Sequence, residues 1–173
     1  MRVGGRQCEW VAACASACPP CEWALVPRGA STHSDRPAGG NIEGMNRIVA
    51  PVSIAPPAAN YAHAVVTESA SRWLHTSGVV PTEADGTVPA TIEAQAAAVW
   101  SNLLAILADA EMQTADVVSV TTYVVVDQLP SLGAVMAARD SALNGHRVAS
   151  TLVTVPSLAR PEWKVEIALI AAH

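Results

Sequence analysis

Apolar positions along this chain recur with two different periods, and the changes of period mark its elements. From Ala90 to Ala110, Ile92, Ala96, Val99, Leu103, Ile106 and Leu107 fall at spacings of three and four. That spacing predicts an amphipathic helix with one buried face. Thr91 is placed to cap it, and Gln95 and Asn102, seven apart, share one side of it. Asp116 to Val126 is a long β-branched run containing Thr121, Thr122 and Tyr123, which predicts a strand. Leu132–Leu143 returns to the helical period and closes on Asn144-Gly145, residues suited to a helix C-terminus. Two further apolar runs, Ala149–Val155 and Trp163–Ala171, read as a pair of strands joined by the loop Pro156–Glu162.

Upstream, Ile48–Ala59 is interrupted by proline and predicts an edge strand or arm. Tyr61–Thr67 and Arg72–Ser77 read as a hairpin, which would bring His63 and His75 onto paired strands. Asp85-Gly86 marks a turn inside the loop Pro81–Pro89. The resulting order, three strands, helix, strand, helix and two strands, predicts an α+β sandwich. One mostly antiparallel sheet would carry both helices on one face. Its other face, rich in Val and Ala, would be left bare, so the domain is expected to self-associate.

Within the last strand, Glu166 is conspicuous. The run is apolar on both faces apart from Lys164 and Glu166, a pattern typical of a strand in the middle of a sheet. A carboxylate there needs a partner or a task. The ordinary accounts are a place at a strand edge or an ion pair.

Composition narrows the functional classes. The chain has 173 residues, 51% of them hydrophobic and 14% charged, enough for one domain with a core. A net charge of −5 argues against a nucleic-acid surface, which needs clustered cations. No run approaches the length of a membrane-spanning helix, so no membrane partner is expected. All four cysteines, Cys8, Cys14, Cys18 and Cys21, lie near the start. Their spacing fits neither paired zinc knuckles nor an activated redox pair, so no metal site is predicted. Residues 24–44 have linker composition, and the segment before them is broken by Glu9, Cys18-Pro-Pro-Cys21 and Glu22, unlike a signal peptide. Residues 1–44 thus read as a flexible N-terminal extension, with the folded domain over 45–173 and a cytoplasmic location as the default. GxGxxG, GxxxxGK[ST], HExxH and GxSxG motifs are all missing, and no two histidines stand at ligand spacing on one element.

One set of short blocks carries more specific information. They are Ala55-Pro56 with Tyr61, Thr76-Ser77-Gly78 followed by Pro81, and Asp85-Gly86-Thr87-Val88-Pro89. They continue with Ile92-Glu93-Ala94-Gln95 and Asn102-Leu103, Asp116-Val117-Val118, Ala149–Val155 and Val165-Glu166-Ile167. In this order and spacing they span the whole of Met45–His173, which resembles the RidA/YjgF family. The resemblance implies a chorismate-mutase-like fold, a homotrimer, and clefts between subunits that take small metabolites. The best-known branch hydrolyses enamines and imines, such as 2-aminoacrylate, to a keto acid and ammonia without a cofactor.

The resemblance also assigns residues. Glu166 matches the glutamate that positions water, Tyr61 a tyrosine near the cleft mouth, and Ser77 and Gly78 the turn that shapes it. The usual arginine clamp for the substrate carboxylate is replaced by Ser150, which can donate one hydrogen bond but carries no charge. Arg160, in the following loop, could swing back toward it, though nothing in the sequence requires that, and Arg147 lies three residues before it, an odd offset that would put it on the opposite strand face. Two functions follow as expectations: a hydrolase of small imines or enamines with an altered substrate, or a non-catalytic protein that binds a small molecule in the same cleft. An assembly without a ligand is the third.

Overall fold

The computed structural model describes residues 45–173; the extension 1–44 and its four cysteines lie outside the described residues. Helix α1 spans Ile92–Asp109 and begins at Thr91, whose hydroxyl accepts from the Ala94 N–H. Its buried stripe includes Val99, Trp100, Leu103 and Leu107. Each such side chain contributes about 1.5–3 kcal/mol when fully withdrawn from water. Ile106 falls at the margin of the stripe and is exposed, while Trp100 is buried. Helix α2, Leu132–Ala142, ends as its sequence predicts, with Asn144 and Gly145 both at positive φ.

Two sheets complete the sandwich. Strands β1 (Asn46–Val49) and β2 (Ala64–Thr67) pair antiparallel. The larger sheet holds β3 (Trp73–His75), β4 (Val117–Val125), β5 (Ala149–Val155) and β6 (Val165–Ala172), in the order β3-β6-β4-β5. Only β4 and β5 run parallel. Along β6, Val165, Ile167, Leu169 and Ala171 are buried in the hydrophobic core that α1 and α2 share, while Glu166, Ala168 and Ile170 alternate onto the opposite face. That opposite face also carries Ser119, Thr121 and Tyr123 of β4, and is not covered by either helix.

The sequence expectation of a hairpin between β2 and β3 is incorrect. Strand β2 pairs with β1, and β3 with the C-terminal strand β6. The connection is captured by the chain terminus: Ser71 and Arg72 donate their N–H groups to the His173 carbonyl. His75 is therefore on β3 of the large sheet, while His63 lies in the bend just before β2, and the two do not face each other on paired strands. His63 hydrogen-bonds the Ala55 carbonyl, and His75 stacks on Trp73. The last two strands are likewise not neighbours, because β4 lies between them. The proline-rich segment following Val49 forms turns rather than the predicted extended arm, since Pro51, Pro56 and Pro57 cannot donate to a ladder.

Gln95 and Asn102 tie loops to α1. Gln95 is buried; its amide donates to the Pro89 and Glu162 carbonyls, and its oxygen accepts from the Lys164 N–H. One side chain thereby satisfies three main-chain groups and fixes the entry to β6. Asn102 donates to the Val80 and Thr82 carbonyls, holding the loop after β3. In the turn beyond it, Asp85 accepts from the N–H and the hydroxyl of Thr87, which lower its carboxyl pKa below the ordinary value.

Candidate functional site

The predicted site residues fall into two groups at opposite corners of the large sheet. The first surrounds Glu166. Because β6 is flanked by both β3 and β4, Glu166 stands on a central strand, not on an edge. Among the described residues it has neither an ion-pair nor a hydrogen-bond partner, so both ordinary explanations of the carboxylate fail.

A bulge beside Glu166 gives its carboxylate room. His75 pairs with Ile170, yet Val79 bridges Ile167, so the segment after β3 holds one more residue than the stretch of β6 it follows. The register is pinned on both sides, with Thr76 bonded to Leu169 and Val79 exchanging both backbone bonds with Ile167. The extra length falls at Ser77-Gly78. The Glu166 carboxylate lies against Gly78 so closely that a Cβ there would stand 1.7 Å from Glu166 Oε1. Only glycine admits this side-chain position.

The second group surrounds Tyr61 and Ser150. Ala62 bridges Ala149 in parallel and donates its N–H to the Val148 carbonyl, which fixes Tyr61 beside the start of β5. Ser150 faces α2, where its hydroxyl accepts from Arg139 Nη1 at 3.3 Å. Arg139 is 3% exposed. It also donates to Asp140 Oδ1 from Nε and Nη2 and to the Asn60 carbonyl from Nη2. A buried guanidinium is thus engaged through all three nitrogens at the serine that stands where the resemblance places a substrate clamp.

Arg139 is the residue that sequence reasoning missed. Its position was informative: it lies four residues after Val135 and four before Leu143, on the buried stripe of α2. An arginine on an apolar stripe signals a buried pairing.

Arg160 does not swing back toward Ser150. Its guanidinium lies over the Trp163 ring, 5.3 Å from the centroid, and 3.9 Å from a Glu162 carboxylate oxygen. The loop that carries it leaves the far end of β5. Arg147 contacts the Tyr61 carbonyl through Nε and Nη2, at 3.2 and 2.8 Å.

The two groups do not meet within one protomer. Ser150 aligns through Val120 with Leu169, three residues from Glu166. Three residues along and two strands across amount to about 14 Å. In addition, the two side chains project from opposite faces of the sheet. A metabolite of a few heavy atoms spans neither gap. Among the described residues no group of three or more His, Cys, Asp or Glu side chains is arranged to hold a metal ion. No helix there is long and apolar enough to cross a membrane.

This fold, with the bulge beneath a central-strand carboxylate, defines the chain's class as an α+β sandwich. A family model described as Endoribonuclease L-PSP matches residues 52–173, and the chain belongs to that family, the YjgF/Rid proteins. Among solved structures, the Rid-family protein YyfB of Yersinia pestis, described as of unknown function, is 30% identical over 75% of this chain and all of its own, with a TM-score of 0.70. E. coli TdcF, solved with bound serine, is 21% identical over 73% of this chain and 98% of its own, with a TM-score of 0.55. Rv2704 of Mycobacterium tuberculosis, a member of the YjgF/YER057c/UK114 family, is 23% identical over 67% of this chain and 89% of its own (TM-score 0.51). The last two likenesses concern the fold alone. No curated protein matches the chain.

Proposed function

We propose that the protein is a homotrimeric hydrolase of small imines or enamines, releasing ammonia and a keto compound in clefts between subunits. The observation that carries this reading is the unpaired Glu166 carboxylate held over Gly78. An unpartnered carboxylate at a strand centre is placed to accept a proton from water and aim that water at an electrophilic C=N carbon. Water attack gives a carbinolamine, and return of the proton to nitrogen allows ammonia to leave.

This reading calls for assembly. Since Ser150 stands about 14 Å from Glu166 across the sheet, and Tyr61 lies beyond β5, a single cleft would join the Tyr61 corner of one copy to the Glu166 corner of another. The bare sheet face supports self-association, with Trp73 and Val153 exposed on it. Ser77 is exposed beside Gly78, available to shape the cleft.

Glu166→Ala is expected to remain trimeric by light scattering and to lose about a hundredfold or more in keto-acid formation from 2-aminoacrylate generated in situ. Equal rates for the variant and the wild type on charged and uncharged imines would rule out this role for Glu166.

A second reading, non-catalytic binding of a small molecule in the same cleft, is favoured by one observation. The Ser150 hydroxyl is already bonded to Arg139, so position 150 offers a substrate no charge. Ligand-induced stabilisation with no turnover on any imine would select it. The endoribonuclease in the family description receives no support from this chain, whose net charge of −5 is unsuited to a phosphate backbone.

A further inference from the structure

Four histidines fall among the described residues, and they differ in what holds the ring. The rings of His63 and His146 hydrogen-bond the Ala55 and Val117 carbonyls, and that of His173 meets the Asp116 carboxylate. His75 is exposed, and among the described residues its ring has neither a hydrogen-bond nor an ion-pair partner. It stacks on Trp73, itself 53% exposed, with the ring centroids 6.3 Å apart. Leu74, between them, packs against the core, so Trp73 and His75 both stand on the sheet face that the helices leave bare.

The ground around His75 carries no charge. The ring borders a hollow of about 170 Å³ whose other walls are Thr76, Ser119, Thr121, Ala168, Leu169 and Ile170. The one strand paired with β3 is β6, and beyond it lies β4. The ionisable groups these strands bring to the bare face are Tyr123 and Glu166. Glu166 is four residues along β6 from Ile170, the residue paired with His75, a distance of about 13 Å. The His173–Asp116 pair sits at the end of the sheet beyond Trp73, and Arg72 turns to the Ala110 and Glu111 carbonyls at the end of α1. Hydroxyl and methyl walls accommodate a neutral imidazole but offer an imidazolium no counter-charge.

We propose that His75 makes assembly proton-sensitive: a second copy of the chain covers this face while the imidazole is neutral, and acidification separates the copies and dismantles the cleft. This rests on the inter-subunit cleft of the proposed function, but not on hydrolysis. Covering the face withdraws the ring from water, which disfavours its charged form. Protons therefore bind the separate copies better than the assembled ones. Assembly is at full strength above the range in which histidine titrates, about pH 5–8, and is lost as the pH falls through it. Each buried imidazole lowers the association constant by up to about tenfold per pH unit, or about a thousandfold for a trimer.

The test is light scattering on the full chain at fixed concentration from about pH 8 to about pH 5, with circular dichroism to follow the fold. Wild type should have a trimer's mass at the upper end, fall toward the protomer's at the lower end with its fold intact, and recover on return. His75→Gln, neutral throughout, should keep the trimer's mass over the whole range. His75→Lys, charged throughout, should have the protomer's mass even at the upper end. A wild-type mass that ignores pH, a transition shared by His75→Gln, or mass lost only together with the fold overturns the assignment. So does a trimer strengthened by acid, the result expected if the imidazolium meets Glu166 of a second copy. The two proposals fail separately. A pH-switched trimer that hydrolyses no imine sinks the hydrolase and keeps this inference, whereas a trimer of constant mass that hydrolyses imines does the reverse.

Discussion

Replacing Arg139 with methionine is expected to lower the free energy of unfolding by about 3 kcal/mol, read from urea denaturation. The methionine keeps the aliphatic volume but removes every donor. The Asn60 carbonyl and the Ser150 hydroxyl then lose their partner, and Asp140 loses the guanidinium that balances it. Breaking a buried pair costs about 3–5 kcal/mol. The lower end applies here, because the Asp140 side chain is 37% exposed and recovers some hydration. A loss below about 0.5 kcal/mol, the size of an ordinary surface substitution, would show that the cluster contributes orientation and not stability.

The same contact changes what Ser150→Arg can do. By sequence, this substitution restores the family clamp. In the folded protein it brings a second guanidinium against Arg139, and like charges in a buried setting repel. Ser150→Arg is therefore expected to destabilise the fold without strengthening 2-keto acid binding. Adding Arg139→Ser should relieve much of the loss, a non-additivity that a double-mutant cycle measures. Additive effects would mean that the two side chains avoid each other.

What the sequence made legible follows the range of the interactions. Both helices, the Thr91 cap, the Asn144-Gly145 terminus and the central place of β6 were readable, because each depends on neighbours a few residues apart. Strand pairing was not, because it depends on partners far along the chain, as far apart as Trp73 and Ala172. The residues between β2 and β3 have turn chemistry that suits a hairpin, yet the His173 carbonyl takes the Ser71 and Arg72 donors. The candidate site divides in the same way. Glu166 and Gly78 stood out individually, but the bulge that stacks one on the other arises from pairing between β6 and the segment after β3. Arg139 went unremarked because its partners, Ser150 and Asn60, approach only once α2 has packed on the sheet.

The Gly78–Glu166 contact gives the sharpest expected effect on activity. Gly78→Ala puts a methyl 1.7 Å from Glu166 Oε1, 2.5 Å from Cδ and 2.8 Å from Cγ. No atom pair tolerates such approaches, so the whole outer part of the glutamate must leave its position. Its backbone is held between β4 and the segment after β3, which makes rotation of the side chain the available response. The fold should survive, because the displaced carboxylate has no partner to lose among the described residues and the helix-facing core lies on the opposite side of β6. Turnover should fall with it, by about a hundredfold or more if Glu166 positions the attacking water. Combining Gly78→Ala with Glu166→Ala should then cost no more activity than either change alone, since both remove one function. A double variant much slower than both singles would instead mean that the Gly78 backbone contributes to the cleft independently of the glutamate. Should Gly78→Ala retain full activity with a normal melting temperature, the carboxylate position over Gly78 would not be the one that works.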